Sequence, residues 1–215
     1  MTTVLLIDDH PIVLQGCRRV LQDAGVNQVL EADNAAAGYR LLRRNKPDVV
    51  VVDLALKSGG LGGLELIRRM RLHDKRTPIL AFSMHSDPLV VSRALKAGAT
   101  GYVLKDSGPR DFLEAFEAVR RNKPYLGHEL AMQVAMLGST GTQSPLAGTT
   151  SRELHTLALL AEGKPYAQIA TDLGVSYKTV VNTSSQLKSK LGARNLPELI
   201  KLAVQYVSSS SEYPK

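Results

Sequence analysis

The sequence is short of the features that would place it in a membrane or an oxidising compartment. Its 215 residues include one cysteine, Cys17. No internal disulfide can form, and Cys17 falls in a helical pattern where a small buried apolar side chain is expected. No apolar run approaches the length that spans a bilayer. The N-terminus passes almost at once into an apolar strand pattern, without the basic, apolar and small-residue succession of a secretory signal. Together these absences predict a cytoplasmic protein with no membrane partner. Acidic residues are also in deficit: 27 Lys and Arg face 20 Asp and Glu, a formal net charge of +7 that favours a polyanionic partner. The excess is +4 over residues 1–144 (19 basic, 15 acidic) and +3 over residues 145–215 (8 against 5), denser in the shorter C-terminal part.

Hydrophobic residues make up 44% of the chain, enough for real cores, and a change of pattern near residue 125 predicts two domains. Up to Lys123, short apolar runs at Val4–Ile7, Gln28–Ala32, Val49–Val52, Ile79–Phe82 and Gly101–Leu104 read as strands. Between and after them, Ile12–Ala24, Ala35–Asn45, Gly63–His73, Pro88–Ala97 and Pro109–Asn122 repeat apolar residues three and four apart. Gly25 and Gly98 follow periodic segments where a left-handed cap is wanted, and Pro47 and Pro78 precede strands. Five strands alternating with five helices predict an α/β fold, a doubly wound parallel sheet.

Ligands of such sheets lie beyond the carboxyl ends of the strands, where strand order reverses. Those ends carry Asp8 and Asp9, Asp53, Ser83 and Lys105, and in the flavodoxin-like order 2-1-3-4-5 the four strands concerned are contiguous. Three carboxylates at one sheet edge are tolerable only around a cation or a shared proton. The pattern therefore points to a metal site beside a reactive aspartate. His10 and His85 fall nearby without the partner spacing of a ligand set, and surface or helix-start roles are expected for both.

Over about its first 125 residues the chain resembles the receiver domain of bacterial two-component response regulators. The matching residues are Asp8-Asp9-His10-Pro11 with Gly16, Asp53-Leu54, Phe82-Ser83, Ala97-Gly98-Ala99 and Gly101-Tyr102-Val103-Leu104-Lys105-Asp106. The resemblance implies that Asp53 accepts a phosphoryl group from a sensor histidine kinase. It implies Mg²⁺ held by Asp8, Asp9, Asp53 and the Ala55 backbone carbonyl, with Lys105 and Ser83 contacting the phosphoryl oxygens. Ser83 drawn inward would vacate space into which Tyr102 turns, making these two residues the switch. One departure is the stretch Leu56-Lys57-Ser58-Gly59-Gly60-Leu61-Gly62-Gly63, which lacks the family's proline and is longer by about two residues. Its glycines predict a mobile or unusually shaped loop beside the pocket.

Beyond the receiver-like part, Tyr125-Leu126-Gly127 leads into a helix over His128–Leu137, and Gly138–Pro145 has a linker's composition. Thr150 and Glu153 stand at capping-box spacing before Leu154, Leu157 and Leu160. Tyr166–Leu173, a turn at Gly174-Val175-Ser176, and Tyr177–Leu191 make a helix-turn-helix, whose second helix can enter the major groove. This segment resembles the LuxR-type DNA-binding domain of NarL/FixJ response regulators, through Ser151-Arg152-Glu153, Leu159–Gly163, Ile169-Ala170, Leu173–Ser176, Lys178-Thr179-Val180 and Lys190–Asn195.

On the second helix Val180, Ser184, Leu187 and Leu191 should face inward. Lys178, Thr179, Val181, Asn182, Ser185, Lys188 and Lys190 are the candidate DNA contacts, with the lysines on phosphates and Asn182 and Val181 on base edges. Where the family usually has a basic residue, a histidine and an apolar residue stand Val181, Thr183 and Ser184, which predicts a missing phosphate contact and a weaker inward face. Pro197–Val207 carries more apolar surface than one helical stripe needs, matching a homodimer helix, and residues 208–215 read as a disordered tail.

The organisation expected is thus 1–124 receiver domain, 125–148 connecting helix and linker, 149–207 DNA-binding domain and 208–215 tail. The function expected is a phosphorylation-controlled transcription factor acting on promoter DNA, with RNA polymerase as a further partner. An alternative is a regulator that works without phosphorylation, its altered helix-turn-helix contacting proteins. No general base beyond the acid cluster is evident, so an enzyme such as a phosphate hydrolase fits poorly.

Overall fold

In the computed structural model, which describes residues 2–56, 62–139, 146 and 148–207, the first unit alternates strands and helices. These are β1 (Thr3–Ile7), α1 (Pro11–Asp23), β2 (Gln28–Ala32), α2 (Ala35–Asn45), β3 (Val49–Val52), α3 (Gly62–His73), β4 (Ile79–Ser83), α4 (Pro88–Ala97), β5 (Gly101–Leu104) and α5 (Pro109–Arg120). The strands are parallel, in the order β2-β1-β3-β4-β5-β6. The sixth strand, β6 (Tyr125–Leu126), corrects the expected count of five. Two half-buried residues are too short to show a period, and this strand exists because β5 offers an open edge. Gly101 permits the approach: a Cβ there would stand 2.6 Å from Val119 Cγ2 and 3.2 Å from Tyr125 Cβ.

The valine run of β3 is buried throughout because helices cover both faces of the sheet. Leu5, Ile7, Val50, Val52, Ile79, Ala81 and Tyr102 share a core with Leu42, Ile67, Met70, Val90 and Ala94 of α2, α3 and α4. The alternate residues Val4, Leu6, Val49, Val51, Leu80, Phe82 and Val103 pack against Cys17, Leu21, Phe112, Phe116 and Val119 of α1 and α5. Burial pushes the Cys17 thiol up to about 12, as expected of a packing residue. Helix ends are fixed locally. Asn34 accepts from Ala37 N at 2.8 Å, Asp87 accepts from Leu89 N and Val90 N, and Gly98 closes α4 in the left-handed region at φ 112°.

The remaining helices are α6 (His128–Ser139), α7 (Ser151–Ala161), α8 (Tyr166–Asp172), α9 (Tyr177–Leu191) and α10 (Leu196–Val207). The α6 helix lies along α4. Both bonds of the Thr150–Glu153 capping box form. Leu154, Leu157, Leu160, Ile169, Val180, Leu187, Leu199 and Ala203 build the core of the last four helices. Arg93 on α4 reaches the entry to α7, donating to the carbonyls of Leu146 (3.0 Å) and Thr149 (2.6 Å) and to Thr149 Oγ1 (3.1 Å). The expected glycine-rich loop over 57–61, most of the linker and the tail from 208 lie outside the described residues. Among the described residues no helix is long and apolar enough to cross a membrane.

Candidate functional site

Parallel register places the acids together. Ile7 pairs with Val52, so Asp8 and Asp53 leave adjacent strands side by side, and Asp53 N donates to Ile7 O at 2.8 Å. Asp8, Asp9 and Asp53 are all buried, Asp53 with only 2% of its surface exposed. Lys105, arriving from the end of β5, puts its ammonium 2.6 Å from Asp8 Oδ2 and 2.7 Å from Asp53 Oδ2. Burial would lower the Lys105 pKa, but the two carboxylates outweigh it and hold the group above its ordinary value, firmly charged. Burial raises the Asp53 pKa, and Lys105 opposes that shift without cancelling it. The other Asp53 oxygen, Oδ1, accepts from Ala55 N at 3.1 Å. One donor atom each from Asp8, Asp9, His10 and Asp53 falls within a mutual 4.8 Å. Carboxylate oxygens in that density fit a hard divalent cation.

Two residues that the sequence sets beside this pocket make contacts that it does not reveal. A Cβ on Gly63 would stand 2.0 Å from Asp53 O and 2.6 Å from Leu54 Cα. The first turn of α3 therefore rests directly on the backbone that carries Asp53, and only glycine fits there. His10 starts α1, as expected, but its Nδ1 also lies 3.0 Å from Asp8 Oδ1 and 3.2 Å from Asp9 Oδ1. The spacing rule that set it aside looks for ligands a helical turn apart, whereas here they are chain neighbours.

Ser83 ends β4 fully buried, its Oγ accepting from His85 N at 3.3 Å. Tyr102 beside it has its ring inside, with no exposed surface, and its hydroxyl donates to His85 O at 2.6 Å. The carbonyl of His85 supplies the acceptor that a buried phenol requires.

On α9, Ser176 caps the first turn through Thr179 N at 3.1 Å, and Tyr177, Lys178, Val181, Asn182 and Ser185 are exposed on one side. Thr179 is half-buried, its hydroxyl paired with Ser176 Oγ at 2.8 Å. Lys188 is half-buried. Thr183 is buried and bonds back to Thr179 O at 2.9 Å, so its side chain serves the helix itself. The weakened inward face expected at Ser184 is offset, since its hydroxyl is hydrogen-bonded to that of Tyr166. Lys190, itself exposed, donates to Glu153 Oε2 (2.8 Å) and Gly148 O (2.9 Å). Burial would raise the Glu153 pKa, but the bonds from Lys190 and Thr150 prevail and hold it below its ordinary value.

Comparisons with known proteins cover both units. Residues 4–117 match the response regulator receiver domain family, and residues 148–203 match the luxR family of bacterial regulatory proteins. The chain is 40% identical to the methanol utilization control regulatory protein MoxX of Paracoccus denitrificans, over 94% of this chain and 91% of that protein. It is 31% identical to the response regulator UvrY of Escherichia coli K12, over 99% and 98% of the two chains. Among solved structures, RcsB of Salmonella enterica serovar Typhimurium, bound to a promoter in the presence of phosphomimetic BeF3-, superposes with a TM-score of 0.74 at 27% identity. That match covers 95% of this chain and 98% of the other.

Proposed function

Because the chain belongs to the response regulators that join a receiver domain to a LuxR-family DNA-binding domain, we propose that a sensor histidine kinase phosphorylates Asp53 and that this controls binding of a homodimer to promoter DNA in the cytoplasm. The observation that carries the proposal is the Lys105 ammonium shared between Asp8 and Asp53 in a buried edge of the sheet. An Asp53 carboxylate oxygen attacks the phosphorus of a phosphohistidine. The O–P bond forms as the P–N bond breaks, and the departing imidazole takes its proton from solvent. Lys105 stays charged throughout and stands where the negative charge gathers. Asp8, Asp9, Asp53 and the Ala55 carbonyl would hold Mg²⁺, which when bound neutralises the phosphoryl oxygens. The buried Ser83 hydroxyl then gains a strong acceptor, and Tyr102 beside it belongs to the element whose balance shifts.

Binding falls to the exposed side of α9: Lys178 on phosphate, Asn182 and Val181 at base edges, and Ser185 and Thr179 at the margin. Lys188 is a second phosphate contact, while the Glu153 clamp removes Lys190 from that role. In α10, Val204 is 44% exposed, supporting a pairing face through which two α9 helices meet two half-sites. RNA polymerase is a natural neighbour at a promoter. Intact-mass measurement after treatment with a small phosphoryl donor tests the first step. The wild-type chain should gain one phosphoryl group and Asp53→Asn none; no gain in the wild type, or the same gain in both, refutes it.

A further inference from the structure

The positive charge of the receiver unit lies in one stretch of its chain. Residues 35–76 hold 10 Lys and Arg against 4 Asp and Glu, an excess of +6, whereas the rest of residues 1–144 holds 9 against 11. That stretch is α2, the buried strand β3 and α3, so the charge falls on two helices that pack together on one face of the sheet. Its acids do not neutralise it. Asp53 is paired with Lys105, Asp48 accepts from Thr3 N at 2.7 Å, Asp74 accepts from Arg76 N and Thr77 N, and Glu65 pairs with Arg68 at 3.4 Å. On α2, Arg40, Arg43 and Arg44 recur three and four apart on the side opposite buried Gly38 and Leu42, all three exposed and in no ion pair among the described residues. Arg69 of α3 lies 4.4 Å over the Tyr39 ring of α2, which joins the charge of the two helices into one face. Exposed Lys75 and Arg76 follow where α3 ends. Cations in a last turn complement the helix dipole, but Arg40 and Arg69 stand before the last turns of their helices, beyond its reach.

This face leads toward the DNA-binding unit. Arg68 and Arg69 line one wall of a cleft whose other wall carries Arg152, His155 and Leu173. Leu173 is followed directly by the Gly174-Val175-Ser176 turn, so the first turn of α9, the part of such a helix that meets base edges, begins just beyond that wall. Arg152, exposed and in no ion pair among the described residues, carries the positive charge across the cleft. The α9 surface is itself short of cations, since Val181 stands at a position usually basic in the family and Lys190 is engaged by Glu153. A duplex held by α9 extends past its half-site, and phosphate oxygens match the fork of an arginine. We infer that the α2–α3 face of the receiver unit is a second DNA contact, in which Arg40, Arg43, Arg44 and Arg69 engage the phosphates of the duplex flanking the site read by α9. The inference rests on α9 binding promoter DNA as proposed above. The contact carries no sequence information, and it makes flank length and salt the variables that set affinity.

The probes are a duplex that the full chain recovers from a random pool, kept with long flanks, the same duplex trimmed to its half-sites, and polyglutamate. Binding is measured across salt concentrations for the full wild-type chain, for the triple variant Arg40→Gln, Arg43→Gln, Arg44→Gln, and for the triple variant with lysine at the same positions. The wild type should show a steeper salt dependence on the long duplex than on the trimmed one, a comparison that needs no variant. On the long duplex the glutamine variant should lose about 0.9 of the log–log slope for each phosphate contact removed, up to about 2.7 for three, while the lysine variant keeps the wild-type slope. On the trimmed duplex all three should agree. The three side chains are exposed and unpaired, so both variants should keep the wild-type melting temperature and the wild-type phosphoryl uptake. Equal wild-type slopes on the two duplexes overturn the inference and leave binding by α9 standing, as does a glutamine variant with the wild-type slope on the long duplex. Polyglutamate binding that the glutamine variant loses while its DNA slope is unchanged assigns the face to an acidic protein and overturns the inference too. Failure of the wild type to recover any duplex from the pool, or Asn182→Ala binding the trimmed duplex as tightly as the wild type, overturns the reading of α9 on which it rests.

Discussion

A carboxylate as deeply buried as Asp53 is costly unless neutralised, and Lys105 offsets only part of that cost, so the Asp53 pKa stays above its ordinary value. The sign follows from linkage. The folded chain holds this proton more tightly than the unfolded chain, whose carboxyl titrates near 3.8. The Asp53 contribution to stability is therefore fully present below that value and is lost as pH rises through the higher folded one. At neutral pH, Asp53→Asn should melt higher than the wild type, by about 2–4 °C for each kcal/mol of relieved charge, and the gain should shrink on acidification. Thermal melts at several pH values check this; a lower melting temperature in the variant at neutral pH would contradict it. Asp8, Asp9, Asp53, Ser83 and Lys105 were legible in the sequence because each ends an apolar run, and strand ends of a parallel sheet meet. The close approach of Gly63 was not, because nothing local records that the start of α3 will lie against the Asp53 backbone with no room for a Cβ. Gly63→Ala should displace that backbone, costing about 1–3 kcal/mol of stability and slowing phosphoryl uptake, whereas unchanged uptake at wild-type stability would show the contact to be slack.

Elements of strong period were readable, and those that depend on neighbours were not. The valines of β3, the capping box of α7 and the left-handed Gly25 and Gly98 all appear as the sequence predicts. The two-residue β6 and the inward set of Tyr102 depend on tertiary partners, an open strand edge and the His85 carbonyl respectively. The same limit applies to lysines on α9, where residue type cannot separate a phosphate contact from a structural clamp. Lys178 and Lys190 are both exposed, and their partners separate them: Lys190 holds the buried Glu153 and the Gly148 carbonyl. Lys178→Ala should lower the salt slope of DNA binding by about 0.9 and leave the melting temperature in place. Lys190→Ala should do the reverse, costing about 1 kcal/mol by removing the cation from a buried carboxylate that then keeps only its Thr150 bond. Gel shifts across salt concentrations beside thermal melts check the pair; a reduced slope for Lys190→Ala at unchanged stability would return it to the DNA-facing set.

At the scale of the whole molecule, the phosphoacceptor pocket and the exposed side of α9 belong to different folding units, so control requires a physical connection. The structure offers one in Arg93, whose guanidinium on α4 holds the Leu146 and Thr149 carbonyls immediately before the α7 cap. Next along the chain come the Thr150–Glu153 box and the Glu153–Lys190 pair on α9. No sequence pattern marks Arg93, since its acceptors are main-chain carbonyls more than fifty residues away. Arg93→Ala should loosen the two units, read as a larger radius of gyration in small-angle X-ray scattering, and an unchanged profile would show that Arg93 does not hold them. The most direct test of phosphorylation-controlled DNA binding is the affinity of the full chain for selected promoter DNA at fixed salt, measured with and without a phosphoryl donor in wild type and Asp53→Asn. Binding should tighten with the donor in the wild type and stay constant in the variant. Equal affinity in all four conditions, or the same tightening in Asp53→Asn, would contradict it.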